Sequence, residues 1–375
     1  MQVNPQNYLA EHNLWDIDNL KAHAEQNNVQ VIESKDYPFL VMLHYKNDCV
    51  WDNNWSPFAR MCRGLILDMH DQRVLAYPYD KFFNMSQVPE TSYDVLKDKK
   101  EFEISEKLDG SMILVFQDPS TGEYVATTKG SFGSEHGKFA TSILPNSIKQ
   151  TKWVEEYTLM FELISREFRI VIDYKAKGYA EGLYLIGARE RKTNRLLTYS
   201  EVAELAASLS IPAPKSYSFD SLDQLVEKTK DLPMSEEGFV LRYPDGLMVK
   251  VKGAAYLKAH KFISCLSDKN ILEAVSEGVE GPFIEICPDE FQADVIEKIA
   301  YFKSRKVDLL NQCYKYFAEA PKEEGRKVFA LWVQANVTQS LKGCLFQLMD
   351  CKMLKDKDLY DIISKTEKPS VKTRI

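Results

Sequence analysis

Lys107 lies in the run EKLDGSM, between strand-like text carrying Phe102 and Ile104 and a second apolar run, Met112 to Phe116. Strands would hold it rigidly, and the pair Asp109-Gly110 lets backbone approach a ligand closely. With other cations nearby to lower its pKa, such a lysine can attack phosphorus as a free amine. The same residues also suit a hairpin whose turn is Asp109-Gly110, with Lys107 exposed beside it. A second lysine pair stands in LMVKVKG. Strand alternation sends Val249 and Val251 to one face and Lys250 and Lys252 to the other. The two ammonium groups start about 6.5–7 Å apart along the strand, so they repel unless an anion lies between them or water screens them. An exposed strand edge meets that condition with water; a site beside Lys107 meets it with phosphate.

Further candidates are spaced through the same region. Glu162 is flanked by apolar residues in MFELIS. A carboxylate there needs a ligand or an ion-pair partner, and Arg166 or Arg169 could be that partner. Glu237, in EEGFVLRY, opens a strand where its oxygen could hold a divalent cation or simply face solvent. Lys129, with Gly130 and Ser131, follows the strand text YVATT. Gly187 and Arg189 end the apolar run LYLIGARE.

These residues must be positioned by sheets. Short apolar runs recur from about residue 30 to 254: FLVMLHY, RGLILDM, VLAYPY, SMILVF, YVATTKG, LMFELIS, FRIVIDY, LYLIGARE, GFVLRY and LMVKVKG. Gly, Pro, Asn and Asp bound them, and helical text intervenes only at Leu197–Leu209 and Ser221–Lys230. Strands without regular helices between them predict an α+β domain of mixed, largely antiparallel sheets over residues 1–254. After that the period changes. Asp289 to Phe317 runs without Pro or Gly, with Phe291, Val295, Ile299, Phe302, Leu309, Cys313 and Phe317 at helical spacings. Shorter helical patterns follow at Gly325–Ser340, Leu341–Leu354 and Asp358–Ser364, so residues 255–375 read as an all-α domain ending in a frayed tail, EKPSVKTRI.

The 375 residues suit two domains, with 45% hydrophobic content for their cores. The net charge of −7 does not announce a nucleic-acid binder, yet phosphate contacts depend on a local patch and not on the total. Seven scattered cysteines without a CxxC pair favour reduced thiols and a cytoplasmic setting. The first residues lack the pattern of a signal peptide, and no apolar run approaches the roughly 18 residues of a membrane span, so no membrane partner is expected.

Taken in order, K-x-D-G-S (107–111), K-G-S (129–131), F-E-L (161–163), G-A-R (187–189), E-G-F (237–239) and K-x-K (250–252) form a set far more specific than any member. The series resembles that of the covalent nucleotidyltransferase superfamily, which comprises polynucleotide ligases and messenger-RNA capping enzymes. Upstream, MCRGLILD with Arg63 and YDKFFNMSQ with Lys81 and Phe83, and downstream Tyr256 after K-V-K, narrow it. Over about residues 40–260 the chain is similar to the RNA ligase 1 type of bacteriophage T4, a tRNA-repair family.

That resemblance implies a three-step, ATP-dependent joining of 5′-phosphate and 3′-hydroxyl RNA ends, with cleaved tRNA as one candidate substrate. Lys107 would take AMP from ATP, with Asp109 and Gly110 shaping its loop. Lys250 and Lys252 would contact the α-phosphate and lower the Lys107 pKa. Glu162 would bind ribose hydroxyls, and Glu237 would help hold Mg2+ or Mn2+. Lys129 and Arg63 would meet the nucleotide and its outgoing phosphates. Lys81 and Phe83 match an essential upstream motif, Tyr256 an essential tyrosine, and Tyr45 in LHYKND a nucleotide-contacting tyrosine. The protein is expected to act as a monomer. Residues 270–375 carry no recognisable family motif, and Gly253 replaces a serine of the phage enzyme. A DNA ligase, a GTP-using capping enzyme and a non-catalytic RNA-end-binding protein are the competing readings.

Overall fold

The run Leu40–Leu43 shows why the strand text is continuously apolar and does not alternate. Leu40 and Met42 enter one buried cluster, with Ile66 and Phe116, while Val41 and Leu43 enter another, with Leu9, Phe58 and Leu65. Both faces of this sheet are covered, so neither face selects polar residues. The structure is a computed structural model describing residues 3–51, 53–149, 153–265, 267–285, 289–350 and 353–367. It divides into two compact units, Met1–Leu257 and Lys258–Ile375.

Among the described residues the first unit holds three sheets. One is an antiparallel meander of β1 (Val29–Glu33), β2 (Leu40–Tyr45), β3 (Arg63–Asp68) and β4 (Arg73–Ala76). The second contains β5 (Phe83–Asn84), β6 (Glu103–Glu106), β11 (Ser216–Tyr217), β12 (Gly238–Arg242) and β13 (Met248–Lys252), in the order β11-β6-β12-β13-β5. Its pairs are antiparallel except β13 with β5. The third, ordered β10-β9-β7-β8, has β7 (Ser111–Gln117), β8 (Tyr124–Thr128), β9 (Tyr157–Ile164) and β10 (Gly182–Glu190), all antiparallel. The α+β architecture read from the sequence is the one observed. Strand alternation splits the third sheet between two cores. Ile113, Val115, Phe161 and Leu163 pack under the helices Glu135–Ser142 and Tyr199–Ser208, whereas Met112, Leu114 and Met160 pack with Tyr79 and Met248.

One expected strand is absent. FRIVIDY, residues 168–174, is a loop. The amides of Val171 and Ile172 donate to the Asp109 carboxylate at 2.9 and 3.1 Å, so a side chain satisfies groups that a sheet partner would otherwise take. The sequence reading also passed over the N-terminal helices Pro5–Glu11 and Ile17–Gln26, which cover β1–β3 with Leu9 and Leu20.

The segment leading to Lys81 is docked on the third sheet. Thr158 accepts from the Tyr77 amide at 2.9 Å. The Arg189 side chain is buried, lies 3.9 Å from the Tyr77 ring centroid and donates to the carbonyls of Pro78 and Asn194. Its guanidinium also pairs with Asp80 at 3.8 Å. The arginine singled out in LYLIGARE therefore orients the 77–80 segment.

The second unit is helical where described: Asp268–Glu277, Glu280–Glu285, Asp289–Glu319, Arg326–Asn336, Lys342–Met349 and Asp356–Thr366. Val295, Ile299, Phe302, Leu309 and Cys313 are buried, as their spacing predicts, beside Ile271, Phe329, Leu345 and Ile363. The Phe291 side chain and the tail from 368 lie outside the described residues.

Arg189→Ala removes a buried cation and strands two carbonyls and Asp80. It should lower the unfolding free energy by about 3 kcal/mol in denaturant titration, against less than about 1 kcal/mol for the exposed Arg195→Ala.

Candidate active site

Lys107 sits where the second sheet hands the chain to the third. β6 and β7 do not pair with each other, so the hairpin reading of Asp109-Gly110 is wrong: residues 107–110 are a junction between sheets. The junction is fixed at each residue. The Lys107 amide donates to the Gly238 carbonyl at 2.9 Å. Asp109 is buried and accepts from Val171, Ile172 and the Tyr256 hydroxyl, the last at 2.8 Å, while its own amide donates to the Tyr174 hydroxyl. Gly110 donates to Glu162 at 3.0 Å and passes so close to β9 that a Cβ would lie 2.3 Å from the Leu163 carbonyl oxygen. Only glycine fits there.

Glu237 lies between two ammonium groups, 2.8 Å from Lys107 and 2.8 Å from Lys252, and is 2% exposed. Gly238 makes this approach possible. Its φ is +136°, and a Cβ would meet the Val251 carbonyl oxygen at 2.1 Å. Burial would raise the Glu237 pKa, but Lys107 and Lys252 outweigh it and hold the carboxyl below its usual value. Burial likewise disfavours the Lys107 ammonium, yet Glu237 and Glu162 overcome that and raise its pKa. This corrects one expectation: in the free protein the neighbouring cations do not lower Lys107, because a carboxylate stands closer. Glu162 pairs with neither Arg166 nor Arg169, which engage Glu181 and Asp173. Burial pushes it up to about 7, Glu237 adds to the rise and Lys107 opposes it.

Around this core stand cations with too little negative charge to balance them. Lys250 is held well below the usual lysine value by burial and then by Arg63, Lys107, Lys81 and Lys252. Lys129 falls to about 8 through burial, Arg63 and Lys81, and Lys81 to about 8 through burial and Arg63. Among the described residues none of Arg63, Lys81, Lys129 and Lys250 has a carboxylate in ion-pair contact. Aromatic rings face Arg63, Lys81 and Lys250 instead. Lys250 lies 4.4 Å and Arg63 5.5 Å from the Phe82 centroid, and Lys81 is ringed by Tyr45, Trp55 and Phe83 at 4.8–5.4 Å. Like cations crowded in a partly dry site form a receptor for a multiply charged anion.

The structure thus gathers Lys107, Asp109, Gly110, Glu162, Glu237, Lys250, Lys252, Arg63, Lys81 and Lys129, with Tyr45 and Phe83 at one side. Tyr256, matched above to an essential tyrosine, is 1% exposed and its hydroxyl donates to Asp109, so it buttresses the loop that carries Lys107. Trp55, Phe82 and Tyr174 were not singled out as individual site residues. Phe82 lay within the quoted KFFN segment; Trp55 and Tyr174 have no local signal, because each acts on a residue distant in sequence.

Two variants test this geometry. Gly110→Ala forces β9 and the junction apart and should abolish any reaction of Lys107 with a nucleotide, measured as covalent label on the protein. Glu237→Gln removes the charge that raises Lys107. The pH midpoint for acylation of Lys107 by an amine-directed reagent, followed by peptide mass spectrometry, should move to lower pH; an unmoved or higher midpoint contradicts the assignment.

A sequence profile described as RNA ligase matches residues 61–262, more than half of the chain and all of this cluster except Tyr45 and Trp55. A protein of Autographa californica nuclear polyhedrosis virus, named for bifunctional polynucleotide kinase and RNA ligase activity, is 27% identical over 256 residues, covering 62% of this chain and 35% of the relative. A protein of Thermovibrio ammonificans named for RNA ligase activity is 30% identical over 218 residues, 55% of this chain and 54% of its own. The chain therefore spans between a third and about half of these relatives. The RNA ligase of Rhodothermus phage RM378 is 24% identical over 87% of this chain and 89% of that one. A solved archaeal ATP-dependent RNA ligase superposes with a TM-score of 0.48 at 14% identity, covering 93% of this chain and 100% of the other. With the profile running from the approach to Arg63 through β13 and on past Tyr256, the chain belongs to the RNA ligase family.

Proposed function

We propose that the protein is an ATP-dependent RNA ligase that joins 5′-phosphate and 3′-hydroxyl ends. The observation that carries this reading is the nucleophile-bearing junction set among unbalanced cations: Lys107 at one side, and Lys250, Lys129, Arg63 and Lys81 without carboxylate partners around it. A triphosphate supplies the missing negative charge. The Lys107 amine, once deprotonated, attacks the α-phosphorus of ATP; the P–N bond forms and pyrophosphate leaves. A 5′-phosphate oxygen of RNA then attacks that phosphorus, the P–N bond breaks, and the amine recovers a proton. Finally a 3′-hydroxyl attacks the adenylated end, AMP leaves, and a phosphodiester remains. In each displacement the protein's task is alignment and neutralisation of phosphate charge.

Proton loss from Lys107 is the first requirement, and Glu237 opposes it. Arriving phosphates give Lys252 an alternative partner and bring a divalent cation with them. The buried Glu237 carboxylate is a hard oxygen donor, and one protein carboxylate together with substrate phosphates suits Mg2+ or Mn2+. Among the described residues no group of three or more His, Cys, Asp or Glu side chains is placed to hold a metal, which fits an ion delivered with the nucleotide. Such an ion would supply neutralisation of phosphate charge; Glu237 would hold it, and a carboxylate so engaged would hold the Lys107 proton less tightly. Glu162, which accepts from the Gly110 amide, takes the ribose hydroxyls in this reading. Asp109 and Tyr256 keep the loop rigid.

Broken tRNA is the natural substrate in this reading, with a cytoplasmic, monomeric enzyme and a helical region, 255–375, that contributes to RNA choice. The relative named tRNA ligase 1 in Schizosaccharomyces pombe, 28% identical over 200 residues, supports that choice of RNA. Among the described residues no helix is long and apolar enough to cross a membrane.

Incubation with α-labelled ATP or GTP and Mg2+ or Mn2+, followed by denaturing electrophoresis, tests the proposal. Label from ATP should stay on the protein and leave it when 5′-phosphorylated RNA is added. Lys107→Ala should lose at least a thousandfold of that labelling while remaining folded by circular dichroism. Labelling from GTP alone points to capping, and none from either nucleotide in nucleotide-free protein points to a non-catalytic RNA-end binder.

A further inference from the structure

The order of the second sheet sets a direction across the site. Lys107 follows β6, Lys250 and Lys252 are on β13, and Lys81 leads into β5, so β12 and β13 separate the nucleophile from Lys81. Three strand spacings amount to roughly 14 Å. The charges agree with this order. Those acting on Lys107 are Glu237, Glu162 and Asp109, those acting on Lys81 are chiefly Arg63, Cys49 and Lys252, and Lys250 feels both ends.

Beyond Lys81, at the β5 side, the first unit contains a cavity of about 770 Å³. Its lining includes Trp55, Arg60, Phe82, Phe83 and Leu247, with Val95 exposed at its edge. Phe82 is a shared wall, since its ring also meets Lys250 and Arg63. Ser56 caps the helix Pro57–Met61, fixing Trp55 before it and Arg60 within it. Arg60 lies 5.1 Å from the Phe83 centroid and pairs with Glu90 at 2.7 Å, both side chains 38% exposed. Among the described residues no hydrogen-bond acceptor meets the buried Trp55 indole N–H.

In-line displacement decides what this cavity is for. Pyrophosphate departs from the α-phosphorus opposite the Lys107 nitrogen. When Lys107 later becomes the leaving group, the RNA 5′-phosphate must enter along the same line and from the same side. The nucleoside joined to that phosphate then extends away from Lys107, past Arg63 and Lys81. We propose that the cavity bounded by Trp55, Phe82 and Arg60 seats the 5′-terminal nucleoside of the RNA strand that receives AMP, an inference that rests on the ligase reading above. Stacking on an aromatic face accepts any base, and Arg60 can exchange Glu90 for the following phosphate.

The test uses enzyme preloaded with AMP and a 5′-phosphorylated oligoribonucleotide with a blocked 3′ end, so that AMP transfer is read alone. Val95→Trp narrows the cavity from its rim, at a side chain 45% exposed. The RNA concentration giving half-maximal transfer should rise at least tenfold, while lysyl-AMP formation from ATP changes less than twofold. Arg60→Ala, which adds no bulk, should raise the same RNA concentration three- to tenfold, and it decides the matter if Val95→Trp fails to fold. Unchanged RNA saturation in folded variants overturns the inference and leaves the ligase reading intact. So does a defect confined to sealing of pre-adenylated RNA, which would assign the cavity to the 3′-hydroxyl strand. A wild-type enzyme that makes no lysyl-AMP overturns both.

Discussion

A single buried carboxylate between two ammonium groups organises this molecule. Glu237 binds the end of β6, through Lys107, to the end of β13, through Lys252, from its own place at the start of β12. A triad of this kind persists in a dry setting only if its geometry is good and each charge is answered. The two ends are answered and the neighbours are not. The free site is therefore balanced at Lys107 and deficient in negative charge farther out, at Lys250, Lys129, Arg63 and Lys81.

The rigidity behind this arrangement comes from placing Lys107 between sheets. Within a strand, Lys107 would inherit the pleat of its own sheet only. At the junction its amide is held by β12 and the following glycine by Glu162 on β9, so two separately packed cores fix one short segment. The buried apolar clusters on either side supply stiffness that the four junction residues could not generate alone.

Much of the site was legible because strand alternation is a local rule. Lys250 and Lys252 had to share a face once Val249 and Val251 took the core, and Glu162 stood out as a charge among apolar neighbours. The helical period after residue 254 was equally plain. What escaped depends on contacts between distant segments. Nothing in FRIVIDY shows that its amides answer to Asp109 and not to a sheet, and nothing near Tyr256 shows that its hydroxyl has the same destination. The acid-base balance at Lys107 escaped too. Counting nearby cations gives the wrong direction, because a carboxylate 2.8 Å away acts more strongly than ammonium groups farther off.

The loop of residues 168–174 runs as irregular backbone between β9 and β10, yet two of its amides are held by a buried carboxylate. Its opening requires Asp109 to release them, and Asp109 belongs to the segment that carries Lys107. In hydrogen-exchange terms the Val171 and Ile172 amide protons are thus tied to the opening of the segment that carries Lys107.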